Sequence, residues 1–591
     1  MKTAEEYNNY AAQLSSQGNN ADALENFRLA LALNPNQQSI LNNAAIALTN
    51  LSRPYEALAY LQRAMNIEPP SAETHFLIGN ILHEHGFTAM AIGQLQTAVK
   101  IDPGHAGALT NLGLIFKNLN RISEAIKYFE LACKADPEHV KAYAYLLHCK
   151  RFLGDWSGFT KMGQVLDKLE DRQISLGRMP VEEPFISVTR TDNSERNLAI
   201  TKIWCQDMNE RAERLKNTFS FDGRAKQKDK RIRVGYLSAD FRDHATTHLI
   251  LGLFRLHDRQ KFQVYIYSYS DDDGSWYQVE IRKYSDKFTN LRSMSDLDCA
   301  RTIYDDGIDI LVDLKGHTGN NRLRICTYRP APVLVTYLGF PGTTAAKFID
   351  YMITDKVVTP KPLAKFFTEK LVYMPDCYQV NDDQQPIATK KTTRSDWGLP
   401  DKEFVFGYLG QSYKIEPRLF DVWMRLVKRV PKSVMWLMGD NETVKENLRL
   451  EAKKRGVEPD RLVFATRLAK PDHLARLALA DLALDTLVVN GHTTTSDALW
   501  VGVPVVTLLG RHFASRVAGS LLRAVGLPEL VANSLGEYET MALDLALNIG
   551  KLKFIRDKLA KNRTTYPLFD TQKFVKNLEK AYRGMWSKTG F

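Results

Sequence analysis

The sequence predicts a solenoid of paired helices followed by an α/β region built from two parallel-sheet domains. Three observations carry that reading. Prolines and alanines recur at one fixed step through the first quarter of the chain. Beyond Arg231, short apolar runs alternate with segments that suit helices. A polar stretch, residues 380–399, divides those runs into two series.

The repeat comes first along the chain. Pro35, Pro69, Pro103 and Pro137 stand 34 residues apart, as do Ala23, Ala57, Ala91 and Ala125, and Ala30, Ala64, Ala98 and Ala132. Phe27, Leu61, Leu95 and Phe129 place a bulky apolar residue between the alanines. Small residues let two helices approach closely. Proline ends the second helix of each unit because it disfavours the α conformation of the residue before it. Gly18, Ser52, Gly86, Asn120 and Gly154 share the position where the first helix must stop. The pattern resembles the tetratricopeptide repeat, in four clear copies. A fifth copy fades between Lys141 and Glu170, with Gly163 where alanine is expected. Such arrays curve around a groove that holds peptides, so a protein or peptide is the expected partner. A solubility or dimerisation module is the alternative, and repeats alone do not imply an enzyme. A homodimer stays open.

From 171 to 230 the periodicity is weak. Pro180 and Pro184 precede an amphipathic run, 195–215, that predicts one helix, and a charged segment, 224–231, follows it. This stretch reads as a helical linker.

The apolar runs then fall at 233–237, 262–269, 308–314, 333–338 and 371–374, and again at 404–409, 434–438, 462–465, 482–487 and 503–509. Buried runs separated by helices argue for parallel sheets covered on both faces. Two series imply two Rossmann-like domains, with a ligand cleft at the carboxyl ends of their strands. The division is a repeat array over 1–170, a linker over 171–230, a first lobe over 231–390 and a second lobe over 391–591.

Composition excludes several classes. A hydrophobic fraction of 44% and a charged fraction of 25% are those of a globular protein. No apolar stretch is long enough to span a membrane. The first thirteen residues lack the apolar core of a signal peptide, so a cytoplasmic location is expected. The net charge of +11 comes without a zinc finger or an RNA-binding aromatic motif, and nucleic acid is not an expected partner. The six cysteines form no Cys-x-x-Cys pair and read as reduced. No Gly-x-Gly-x-x-Gly or Walker loop supports a nicotinamide or ATP site.

Four stretches at strand ends could carry chemistry. In Asp485-Thr-Leu-Val-Val-Asn-Gly-His-Thr-Thr-Thr-Ser-Asp497, an apolar strand runs into Gly491 and three threonines that open a helix. Free N–H groups and the helix dipole there favour an anion, and Asp497, read as lying in the first turn, suits ribose hydroxyls. A plain capped helix reads the same residues equally well. Gly410-Gln-Ser-Tyr-Lys-Ile-Glu-Pro417 puts Lys414 at a strand end, where an ammonium can meet a diphosphate or simply face solvent. In Leu237-Ser-Ala-Asp-Phe-Arg-Asp-His-Ala-Thr-Thr-His248, His244 and His248 are spaced to share a helix face, one of them as a polar active-site residue. Lys315-Gly-His-Thr-Gly-Asn-Asn-Arg322 points His317 at the same cleft. Asp271-Asp-Asp-Gly274 tempts a manganese reading, but a solvated turn fits it better and no metal is expected.

Together these segments resemble the O-linked N-acetylglucosamine transferase family, in which tetratricopeptide repeats precede a two-lobed GT-B catalytic region. Ser238-Ala-Asp-Phe-Arg-Asp-His, Arg329-Pro-Ala-Pro-Val, Leu338-Gly-Phe-Pro-Gly-Thr, Tyr351-Met-Ile-Thr-Asp, Tyr413-Lys-Ile-Glu-Pro, Asn490-Gly-His-Thr-Thr-Thr-Ser-Asp and Ala514-Ser-Arg-Val-Ala carry the resemblance. It implies an inverting transfer of a sugar, most readily N-acetylglucosamine from its UDP donor, to Ser or Thr of a protein, without metal or other cofactor. By the same resemblance Lys414 and Gln411 meet the diphosphate, and Thr493 and Thr494 hold phosphate oxygens. Asp497 binds the ribose, while Lys470, His473 and Arg476 hold the uridine. His244 matches a histidine proposed as the base, and His317 and His492 line the sugar pocket. Two departures stand out. Gly410 replaces an asparagine common beside the glutamine, and the long inter-lobe insert of animal enzymes is missing between Pro375 and Phe404. The expectation is therefore a bacterial-type member. Plant Spindly-type O-fucosyltransferases that use GDP-fucose are the nearest alternative, and a repeat scaffold with an inactive transferase domain is another.

Overall fold

The computed structural model describes residues 2–221 and 231–590. Of the charged segment, 224–230 lies outside the described residues. The chain divides into two compact units, 1–150 with 157–170, and 151–156 with 171–591.

The first unit is helical throughout. Its pairs run Ala4–Ser16 with Asn20–Leu33, Gln38–Asn50 with Pro54–Met65, Ala72–Glu84 with Thr88–Ile101, and Ala106–Asn118 with Ile122–Ala135. The alanines of both registers are fully buried, as are Leu61, Leu95 and Phe129. The position that ends each first helix is left-handed in every copy, with φ 82° at Gly18, 59° at Ser52, 84° at Gly86 and 60° at Asn120. Gly154 repeats it at 65°. Glycine adopts this conformation without strain and asparagine tolerates it.

In the second unit the run expected as one helix is two, Ser194–Trp204 and Gln206–Leu215. The bend falls at Cys205 (φ −90°, ψ −3°). It lets Cys205 and Ala212 both enter the core beneath the first sheet.

That sheet contains β1 (Ile232–Ser238), β2 (Phe262–Ser268), β3 (Lys287–Asn290), β4 (Ile310–Asp313), β5 (Val333–Thr336), β6 (Tyr351–Asp355) and β7 (Lys370–Met374). The second contains β8 (Val405–Tyr408), β9 (Val434–Met438), β10 (Leu462–Ala465), β11 (Leu482–Leu484), β12 (Val505–Leu508) and β13 (Val531–Ala532). All pairings are parallel, in the orders β3-β2-β1-β4-β5-β6-β7 and β10-β9-β8-β11-β12-β13. The order reverses between β1 and β4, and again between β8 and β11. At such a point the two loops leave in opposite directions and open a crevice at the strands' carboxyl ends.

Three strands had no counterpart among the apolar runs. β3 lies at the sheet edge with Lys287 and Asn290 exposed, β13 is two residues long, and β6 carries Thr354 and Asp355 in buried positions. β11 ends at Leu484, short of the expected run, because Asp485 and Thr486 turn the chain. Thr486 Oγ1 donates to Val489 O at 2.6 Å.

The lobes are stitched together. Ser496 donates to Asn381 Oδ1 at 2.6 Å, Ser520 to Asp355 Oδ2 at 2.7 Å, and Arg516 Nε to Val357 O at 2.7 Å. The last helix, Thr571–Trp586, returns to the first sheet. There Glu579 accepts the Asp258 N–H at 2.8 Å and faces His257, while Tyr582 meets Tyr236 at 3.2 Å between hydroxyls. Among the described residues no helix is long and apolar enough to cross a membrane, and all six cysteines are free.

Candidate active site

Both switch points carry candidate site residues. In the second lobe, the loop after β8 holds Gly410 to Lys414 and the loop after β11 holds Asp485 to His492. Lys414 Nζ reaches across to donate to Asn490 O at 3.1 Å. Burial pushes the half-buried ammonium down to about 8, against the pull of Asp485. Asp485 is itself buried and pushed up to about 6. It stays in place because it accepts Gly491 N–H and Thr507 Oγ1, each at 2.6 Å. Gly410 has a local reason: a Cβ there would lie 2.6 Å from the Tyr408 ring, so this ring position excludes a side chain.

Helix Thr493–Trp500 begins directly after His492, so Thr493 and Thr494 present their hydroxyls and backbone N–H groups at its N-terminus. Burial and the neighbouring Lys414 push His492 down to about 3, leaving a neutral ring whose Nε2 lies 3.5 Å from Ala514 O. Asp497 falls in the second turn of that helix, not the first as expected, because the helix already starts at Thr493 rather than one residue later. Its side chain turns inward and pairs with Lys470 Nζ at 2.5 Å, both groups nearly inaccessible.

Lys470, His473 and Arg476 share the short helix Lys470–Leu477. His473 borders a cavity of about 30 Å³ with Tyr408, Asp485, Thr494 and Thr495. Burial pushes His473 down to about 4, and its Nδ1 accepts from Arg476 Nη2 at 3.3 Å. Gln411 is exposed at the rim.

In the first lobe Asp240 is the organising group. Its buried carboxylate holds Lys315 Nζ at 3.0 Å through both oxygens and accepts Thr246 Oγ1 at 3.2 Å. His244 Nδ1 lies 3.6 Å away. His244 and His248 do not share a helix face. His244 is the extended N-cap residue of helix Ala245–Leu256, and its Nδ1 accepts the Thr246 N–H at 3.2 Å. The neutral ring therefore carries its proton on Nε2. His248, on the helix, pairs with Asp243 at 2.6 Å and stands within the fields of Lys470 and Asp497 from the other lobe. Helix Ala245–Leu256 packs on helix Thr493–Trp500, so the two switch points face each other.

His317 is buried after β4, donating from Nε2 to Thr344 O at 2.7 Å with its ring edge-on to Phe340. Asp313, pushed up to about 6 by burial, accepts Gly316 N–H at 2.6 Å and fixes that loop. The Asp271–Gly274 stretch is exposed as expected but irregular rather than a regular turn, with φ 61° at Gly274. Asp273 there accepts the Asp243 N–H at 2.7 Å and so braces the His244 loop.

Sequence reasoning quoted the stretches holding Asp240, Lys315, Asp313 and Asp485 but gave those residues no role. A charged residue within or just beyond an apolar run was the available clue. Trp397, beneath Arg476, had none.

Two Rossmann-like sheets whose switch points meet across one crevice form the framework of a GT-B glycosyltransferase. The chain belongs to glycosyl transferase family 41, whose model matches residues 153–391 and 383–578. Tetratricopeptide repeat models match 14–72 and 106–139. It is similar to the probable UDP-N-acetylglucosamine–peptide N-acetylglucosaminyltransferase SEC of Arabidopsis thaliana, 37% identical over 75% of this chain and 46% of that protein. It is also similar to the UDP-N-acetylglucosamine–peptide N-acetylglucosaminyltransferase of Caenorhabditis elegans, 30% identical over 73% of this chain and 48% of that one. The chain thus spans about half the length of these curated relatives. Among solved structures, a point mutant of the Thermobaculum terrenum O-GlcNAc transferase superposes with a TM-score of 0.65 at 27% identity, covering 93% of this chain and 98% of that one.

Proposed function

We propose that the protein is an inverting, metal-independent O-glycosyltransferase that moves N-acetylglucosamine from its UDP donor to Ser or Thr of protein acceptors. The observation that carries this reading is the bridging of the two second-lobe loops by Lys414 beside the N-terminus of helix Thr493–Trp500. Sugar transfer requires a nucleoside diphosphate to depart, and preorganised positive charge lowers that barrier most. Lys414, the Thr493 and Thr494 hydroxyls and the helix N–H groups supply such charge without a cation. Gln411 closes over the diphosphate from the rim. Asp497, held by Lys470, takes the ribose, and His473 and Arg476 take the base. The printed names of the curated relatives support UDP-N-acetylglucosamine as the donor and a peptide as the acceptor.

The acceptor approaches from the first lobe. His244 and His492, both neutral near pH 7, and His317 border the sugar. With its proton on Nε2, His244 serves first as a donor to the incoming group. It becomes a base for the acceptor hydroxyl only when Asp240 draws the proton to Nδ1. The repeat groove recruits the acceptor. Six reduced cysteines agree with a cytoplasmic site of action.

The test is a transfer assay in chelator with UDP-N-acetylglucosamine, UDP-glucose and GDP-fucose, read by intact-protein mass. Addition of N-acetylglucosamine to Ser or Thr with an inverted anomer supports the proposal. Use of GDP-fucose alone would replace it with the Spindly-type reading, and no transfer from any donor would favour the scaffold.

A further inference from the structure

Arg476 is fully buried, yet its Nε and Nη1 have no hydrogen-bond partner among the described residues. Its Nη2 is 3.3 Å from His473 Nδ1. An arginine left with idle donors in the interior is costly unless something arrives to use them. All the donors of a guanidinium lie in its plane, so whatever sets the plane sets their direction.

Trp397 sets it. The guanidinium carbon stands 5.1 Å from the centroid of the indole. The indole is fixed in turn: Nε1 donates to Thr392 Oγ1 at 2.7 Å, and the turn Ser395–Trp397 closes on Gly398 at φ 65°. Arg394 fastens the same turn to the second lobe through Leu479 O at 3.0 Å and Asp481 at 2.8 Å. We infer that Trp397 is a positioning residue that orients Arg476 so that its spare N–H groups read a keto oxygen on the donor's base. This rests on the nucleoside-diphosphate reading above and adds how the base is chosen. A donor-only guanidinium donates to uracil O4 or guanine O6. It meets the exocyclic amino group of cytosine or adenine with donor against donor, an arrangement that loses the bond and leaves both groups desolvated.

Full-length wild type, Trp397→Leu, Trp397→Phe and Thr392→Val would be titrated with UDP and CDP, with steady-state kinetics and thermal melts beside them. In Trp397→Leu, UDP affinity should fall about tenfold, the scale of a desolvated cation–π contact, while CDP affinity changes little. The UDP:CDP preference therefore collapses. KM for the donor rises while kcat at saturation stays within about twofold, as expected when binding shared by ground and transition states is lost. Trp397→Phe should restore most of the preference, and Thr392→Val, which frees the ring without removing it, should erode it partway. An unchanged UDP:CDP ratio in a folded Trp397→Leu protein, or equal loss for both nucleotides, would overturn the inference. Wild type that binds neither nucleotide would overturn the donor reading and this inference with it. If Trp397→Leu melts below the assay temperature, the Thr392→Val and Trp397→Phe ratios decide the matter.

Discussion

Lys414 donates from Nζ to the carbonyl of Asn490 at 3.1 Å, so one ammonium ties the loop after β8 to the loop after β11. A neutral carbonyl is a weak partner for a group this desolvated. A diphosphate entering at the head of helix Thr493–Trp500 offers a charged one, and charge-assisted bonds are roughly twice as strong. Lys414→Ala should lower kcat by about 10²–10³, the cost of removing one well-placed donor to developing charge. The melting temperature should stay within a few degrees, since the lost bond is one lysine–carbonyl contact. Transfer kinetics and a thermal melt on the same preparation check both halves.

Lys470 and Asp497 form the most enclosed ion pair of the site, 2.5 Å apart. Breaking such a pair from one side leaves an uncompensated charge, so Asp497→Ala should destabilise the protein by about 3–5 kcal/mol. Replacing both, as Lys470→Met with Asp497→Leu, should recover most of that stability without recovering UDP binding. Denaturant melts with nucleotide titrations on the three variants separate the structural role from the ribose role.

The pH dependence follows from two buried groups of opposite kind. Lys414 is held down to about 8 and Asp485 up to about 6. Donor capture needs Lys414 charged and Asp485 ionised to hold Gly491, so kcat/KM should be bell-shaped with limbs near those values. Bound diphosphate stabilises the ammonium, and the alkaline limb of kcat should lie higher. Stability runs the other way. The folded state binds the Asp485 proton more tightly than the unfolded chain, so this group makes stability fall as pH rises from about 4 to 6. The folded state releases the Lys414 proton early, so this group makes stability rise from about 8 to 10. Asp485→Asn should remove the acid limb of kcat/KM.

Gly491 sits where a methyl group would press on the hydroxyls of Thr494 and Thr495 and approach the Thr495 backbone nitrogen at 3.0 Å. Gly491→Ala should therefore displace the groups proposed to receive phosphate. UDP affinity is expected to fall at least about tenfold, equivalent to about 1.4 kcal/mol. Uridine affinity, which in the proposed site uses only the Lys470–Arg476 helix and Asp497, should change little, and calorimetry with both ligands distinguishes the effects.

Much of the fold was legible because it rests on local chemistry. The 34-residue step reports alanine-on-alanine packing, and five residues at one register position reported a left-handed turn. Central strands stood out as apolar runs, whereas β3 and β13 did not, since an edge strand needs little burial and a two-residue strand carries no pattern. Candidate site residues next to strands, such as Lys414 and the threonines, were reachable because a strand end points at the crevice. The side-chain network behind them was not. Asp240 meets Lys315 across 75 residues, and Arg476 meets Trp397, which lies in the polar stretch between the two series of runs. Helix phase also escaped, since one residue in the starting point moved Asp497 from the first turn to the second and His244 from the helix to its cap.

The most direct test is calorimetric titration of the full-length protein with UDP in chelator, for wild type and Lys414→Ala. Micromolar binding by wild type that weakens at least about tenfold in the variant is the predicted result. Equal affinity in the two proteins, or binding that appears only when a divalent cation is restored, would contradict a metal-free donor site built around Lys414.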